Sequence, residues 1–155
     1  MKKYTLIIII MLSSLAANAQ QRIRPMVVIN RSTYAEVVDL VNIMARASFI
    51  EKMEGIALDA NLVTTRGGEV VILKDGNSIK IIPVEFSKML DSHIANPNRR
   101  WNNTETIRTE LILQVSEMYN YIYDMLSGNR NIKNMYIKVD QRTGGAYIRI
   151  DFFKM

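Results

Sequence analysis

The chain has 155 residues, 48% of them hydrophobic and 23% charged, with a mean hydropathy of +0.00 and a formal net charge of +5. That length suits about one domain, and the balance excludes a disordered tail, a collagen-like fibre and a multi-pass membrane protein. There is no cysteine, so disulfide staples, thiolate zinc sites and cysteine nucleophiles are excluded as well.

Lys2 and Lys3 precede an unbroken apolar run from Leu6 to Leu12, and small residues lead on to Ala17-Asn18-Ala19, the A-x-A form that signal peptidase cleaves. A bilayer span needs about 20 apolar residues, and Ser13, Ser14 and Asn18 interrupt this stretch too early. Residues 1–19 therefore read as a cleaved secretory signal peptide, and residues 20–155 as a single domain with no stable membrane span. Lys2 and Lys3 leave with the signal and no acid does, so the mature balance is milder than the pI of 9.5 implies. It is weak support for a polyanion partner. With no cysteine to carry lipid after the signal, the mature chain is expected to be soluble and either periplasmic or secreted.

Charges around Pro25 lead into Met26, Val27, Val28 and Ile29, a short strand by composition. Ser32 or Thr33 then offers an N-cap oxygen, and Glu36 stands at capping-box spacing from Thr33. A first helix is expected over residues 33–54, ended by Gly55. Val37, Leu40, Val41, Met44 and Ser48 share one side of it, while Ile43, Phe49 and Ile50 flank Asp39, Asn42 and Arg46 on the other. So little polar surface calls for cover on two sides, from the rest of the domain or from a second chain.

The period then changes to that of strands, over residues 62–65, 70–73 and 79–84, separated by Arg66-Gly67-Gly68 and Asp75-Gly76. A two-residue Asp75-Gly76 turn sets Ile72 against Ile79 and Val70 against Ile81. Pro83 lacks an amide donor and marks a strand edge or end. A short helix over 86–94, a polar loop over 96–103 and a long amphipathic helix over 104–126 come next, with Gly128 behind. Ile107, Leu111, Val115, Met118, Tyr119 and Ile122, with Met125 and Leu126, fall on its apolar arc, opposite Glu110, Gln114, Glu117, Tyr121 and Asp124. Strands over 135–140 and 147–153 close the chain. A two-residue Gly144-Gly145 turn between them opposes Val139 with Ile150 and Ile137 with Phe152 on one face, and Asp140 with Arg149 and Lys138 with Asp151 on the other. The fold class that follows is α+β, an antiparallel sheet built from two hairpin regions with two long helices packed on one face.

Catalytic patterns are scarce. His93 is the one histidine, with Asp91 two residues before it; zinc needs three or four convergent ligands, so no metal site and no cofactor are expected. Glu110, Glu117 and Asp124 repeat at sevens on one helix face, which is the pattern of a solvated stripe rather than of paired catalytic acids. Gly67-Gly68 and Gly144-Gly145 belong to no phosphate-binding pattern and read as turns. Three places are suited to recognition. Arg99, Arg100 and Trp101 join two guanidiniums to a flat ring in a polar loop, a set suited to anionic or glycan ligands, although Trp101 also fits a local packing role beside the helix. Tyr136, Lys138, Tyr147 and Arg149 mix aromatic and basic groups on the outward face of the last hairpin. Asp140 and Asp151 neutralise that face and export argues against nucleic acid. The apolar first helix is the third, and would seat a partner or a second copy. The expectation is a non-catalytic binding or assembly module of a bacterial cell envelope. Its partner would be another envelope protein or an anionic or glycan ligand, and the competing reading is a small envelope hydrolase built on His93 with carboxylates or a serine.

Overall fold

The computed structural model describes residues 27–45, 62–98 and 101–153, the side chains of Leu62, Trp101 and Asn102 excepted. The chain is α+β. Its elements are α1 (Arg31–Met44), β1 (Leu62–Thr64), β2 (Val70–Asp75), β3 (Ser78–Pro83), α2 (Val84–Ala95), α3 (Trp101–Leu126), β4 (Ile132–Val139) and β5 (Ala146–Phe152). The five strands form one antiparallel sheet in the order β1-β2-β3-β5-β4. Residues 27–30 are not strand, although Ile29 is buried, so the apolar run there serves the core without joining the sheet.

Helix α1 begins at Arg31, ahead of the caps expected at Ser32 or Thr33, on an extended Asn30 whose own side chain makes no cap bond. The cap comes from a neighbouring turn. Glu69 accepts from the Asn30 backbone N–H at 3.2 Å, from Asn30 Nδ2 at 2.8 Å and from the Thr33 hydroxyl. Glu36, expected to close a capping box with Thr33, instead accepts from the Arg66 backbone N–H at 2.8 Å. A carboxylate placed at the positive end of the helix satisfies orphan donors and the dipole together, and here it also ties α1 to the β1–β2 turn. At the other end, Asn131 Nδ2 donates to the Ala45 carbonyl at 2.7 Å. Tyr34, Val37, Val38, Val41 and Met44 point inward while Ala35, Asp39, Asn42 and Ile43 are exposed. Over its described length α1 is thus one-sided, not apolar nearly all round; Arg46, Ser48, Phe49 and Ile50 lie outside the described residues.

Both hairpins differ in register from the sequence expectation. In the β2–β3 hairpin Asp75 opposes Ser78, so Ile72 faces Ile81 and Val70 faces Pro83. The turn residues are therefore Gly76 and Asn77, with positive φ (61°) at Gly76 alone, the pattern of a type II′ turn. Pro83 ends β3 and leads straight into α2. In the β4–β5 hairpin Val139 opposes Ala146, Ile137 opposes Ile148 and Met135 opposes Ile150. The loop is longer than two residues because Asp140 organises it: its carboxylate accepts from the N–H of Arg142 at 2.9 Å, and its carbonyl from the N–H of Gly144 at 2.6 Å. Gly144 sits at φ 73°, where an added Cβ would collide with the Arg108 side chain.

The core is the layer between the sheet and α3. Val70, Ile72, Ile79, Ile81, Ile148 and Ile150 line one sheet face, each 3% exposed or less. From α3, which starts three residues earlier than expected, Leu111, Val115, Met118 and Ile122 are fully buried. Helix α3 contacts β4 and β5, α2 contacts β3 and α3, and α1 contacts α3. Tyr34 of α1 and Tyr121 of α3 meet with ring centroids 5.7 Å apart. Among the described residues no helix is long and apolar enough to cross a membrane.

Two substitutions test these ties. Glu69→Ala removes the cap of α1 and is expected to lower unfolding free energy by about 1–2 kcal/mol, the usual worth of a lost N-cap. Gly144→Ala forces a side chain into left-handed backbone and is expected to lose about 1–2 kcal/mol from the backbone alone, with the Arg108 collision adding to it. Urea unfolding of each variant reads both values; an unchanged midpoint for either would remove that tie from the account.

Candidate functional site

The face of the sheet opposite the core is set by strand alternation. Val71, Leu73, Lys80, Ile82, Tyr147, Arg149, Tyr136 and Lys138 all point to it, and each keeps at least part of its surface. The four residues singled out on the last hairpin come together here as two directly opposed pairs, Tyr136 with Arg149 and Lys138 with Tyr147. The expected partners Asp140 for Arg149 and Lys138 for Asp151 are not opposed, because the Asp140 loop moves the pairing along the strand without changing its face.

Strand β3 completes the patch. Lys80 lies opposite Arg149, and Ser78 opposite Asp151. Arg149 binds two carboxylates, through Nη1 to Asp75 at 3.0 Å and through Nε to Asp151 at 3.2 Å. Lys80 Nζ approaches Asp75 at 3.8 Å and lies 5.6 Å from the ring centre of Tyr147, within the range of a cation–π contact. Partial burial pushes the Asp151 carboxyl up, but hydrogen bonds from the Ser78 hydroxyl and the Arg149 guanidinium outweigh it and hold the group below its ordinary value. The same Asp151 contact holds the Arg149 guanidinium more firmly protonated. Sequence reasoning missed Lys80, Asp75 and Ser78 because it followed only the apolar alternation of β3; the polar alternation Ser78, Lys80 was the signal.

What this patch can offer chemically is stacking and charge. The two tyrosine rings and the ammonium groups of Lys80 and Lys138 form a flat aromatic and basic surface, a combination able to meet sugars by stacking and anions by charge. Arg149 is held in place by its carboxylates, so it positions the patch more than it reaches out. Ser78 Oγ is committed to Asp151, and no histidine lies on these strands. His93 sits half-buried in the last turn of α2. Among the described residues no group of three or more His, Asp or Glu is arranged to hold a metal ion. Of the other candidates, Arg99 and Arg100 lie outside the described residues, and Trp101 opens α3 with its side chain outside the description.

The second feature of the site is the outer edge of β4, on which no other strand lies among the described residues. Asp140 N–H donates to the Gly145 carbonyl at 2.7 Å, and Phe152 N–H donates from β5 to Asn77 at 2.8 Å. By the alternation of antiparallel ladders, Tyr136 and Lys138 hydrogen-bond to β5 while the backbone groups of Met135, Ile137 and Val139 turn outward. Consistent with this, Tyr119 of α3 reaches over the edge and donates from its hydroxyl to the Met135 carbonyl at 2.9 Å. Tyr119 stacks on Tyr123 at 5.9 Å, and burial together with Tyr123 holds its hydroxyl above the ordinary value. Tyr123, Met135 and Asn134 line one shallow depression along the edge. Comparisons with protein-family models, with curated proteins and with solved structures found nothing that matches this chain.

The depressed Asp151 carboxyl makes a pH prediction. Its stabilising contribution is complete above the unfolded carboxylate value, near 3.9, and is lost as pH falls through the lower folded value. Asp151→Asn is therefore expected to be less stable than the parent at neutral pH, with the difference shrinking below about pH 4. Thermal unfolding at a series of pH values checks this, and a pH-independent difference would contradict it.

Proposed function

We propose that the chain is an exported binding or assembly module of a bacterial cell envelope, acting through the outer face of its sheet rather than through a catalytic constellation. The observation that carries the reading is the assembly of Tyr136, Lys138, Tyr147 and Arg149 into opposed pairs on a face whose side chains stay accessible. Export rests on the pattern of Lys2 and Lys3, the apolar run and Ala17-Asn18-Ala19. The mixture of rings and ammonium groups suits another envelope protein or an anionic or glycan ligand, with Arg99, Arg100 and Trp101 as a second contact region.

Two measurements test it. Mass spectrometry of the chain from its own cells is expected to find a mature N-terminus at Gln20; an intact Met1 in the membrane pellet would contradict export. Binding to envelope proteins and glycans is expected to fall at least tenfold when Tyr136 and Lys138 are both replaced by alanine, with the unfolding midpoint unchanged. A weaker effect there but a strong one for joint replacement of Arg99, Arg100 and Trp101 would move recognition to the loop. Binding unaffected by either set would contradict a role for these surfaces.

A further inference from the structure

We propose that the free edge of β4 pairs with the same edge of a second copy of this chain, antiparallel and centred on Ile137, to form a two-fold dimer with one continuous sheet. This goes beyond the binding role above and does not depend on it. Among the described residues no strand covers that edge. It offers the amide of Met135 and both backbone groups of Ile137 and Val139, a ready template for another strand.

The sequence of the edge selects the second copy. Antiparallel pairing through outward groups must join residues of the same parity. Centring on Ile137 opposes Met135 with Val139 on the helix side and Tyr136 with Lys138 on the other side. Each is a favourable cross-strand pair, apolar with apolar and ring with ammonium. Centring on Lys138 would set two ammonium groups against each other, and centring on Tyr136 would run Val139 into the irregular stretch between Ile132 and Asn134 beside Lys133. The strand is therefore matched to itself in a single register, as a two-fold interface requires.

The flank of α3 adds apolar surface to the same interface. Ile112, Tyr119 and Tyr123 lie along one stripe of the helix, the one that reaches β4 through the Tyr119 hydroxyl. Ile112 is 39% exposed, Tyr123 56% and Val139 43%, and a two-fold axis at Ile137 brings the equivalent stripe of the second copy alongside. The pairing is bounded by the register irregularity at one end and the Asp140 loop at the other. The edge left on the far side of each copy is β1, three residues long, so the assembly closes at two rather than growing into a fibre.

The test uses the chain as its own cells process it. Sedimentation velocity across a hundredfold concentration range is expected to show a monomer–dimer equilibrium, weakened at least tenfold by Val139→Lys with unchanged far-UV circular dichroism. Because the chain has no cysteine, Ile137→Cys reports the register without disturbing the charge. Opposed residues of this kind sit about 5.5 Å apart at Cα, within disulfide reach. Diamide is expected to link Ile137→Cys chains into covalent dimers at least tenfold faster than chains carrying Val28→Cys at an exposed position. A monomer at all concentrations, a dimer indifferent to Val139→Lys, or equal cross-linking at the two positions would each overturn the proposal. So would an acidic extended peptide binding the β4 edge of a chain that stays monomeric.

Discussion

Everything in this molecule depends on one apolar layer, the contact between α3 and the sheet face carrying Ile72, Ile81, Ile148 and Ile150. Each of those isoleucines is fully buried, as are Leu111, Val115, Met118 and Ile122 on the helix. Burying such side chains contributes about 1.5–3 kcal/mol apiece before entropy is set against it. The layer also decides the sheet's polarity, because alternation along each strand leaves the other face to the remaining residues. Tyr136, Lys138, Tyr147 and Arg149 are together because their neighbours are needed in the core.

The outer elements attach to that layer through polar ties. Helix α1 is held at its start by Glu69 and at its end by Asn131, one from each hairpin unit of the sheet. On the outer face Arg149 links Asp75 at the end of β2 to Asp151 in β5, reaching across β3. Ion pairs at partly exposed positions contribute little to stability. Their effect here is orientation, keeping a guanidinium and two carboxylates from competing for whatever meets the tyrosines and lysines beside them. The hairpin tip is tuned in the same way, since Asp140 collects the turn's N–H donors and settles into its ionised form.

The faces of the strands were legible in the sequence; their registers were not. Period-two alternation assigns each residue to a side, and Ile137, Val139, Ile148 and Ile150 all lie on the side expected. Register is decided by turn chemistry, and both turns differ from those the sequence pattern predicts. Gly76 takes the first turn position instead of the second, and the Asp140 side chain replaces a Gly144-Gly145 turn with a longer loop. Each slip moved the pairing by an even number of residues, which preserves every face and changes every partner. The helix cap failed to show for a related reason. Thr33 and Glu36 carry the local capping spacing, but the helix starts earlier, and Glu69, distant in sequence, takes the Asn30 N–H and the Thr33 hydroxyl while Glu36 turns to Arg66. The helical period puts Tyr119 on the apolar arc, yet nothing local signals that its hydroxyl reaches the β4 edge.

Among the described residues the sheet leaves its outer face accessible and the edge of β4 turned outward at alternate residues. Amide hydrogen exchange resolved by residue reads that edge. Tyr136 and Lys138, bonded to β5, should exchange slowly at every concentration, while Ile137 and Val139 should exchange fast in dilute solution and slow down as concentration rises. Slow exchange at Ile137 and Val139 in dilute solution would mean that the edge is already covered. Fast exchange at Tyr136 and Lys138 would mean that the ladder runs in the opposite phase, and either result would contradict the account.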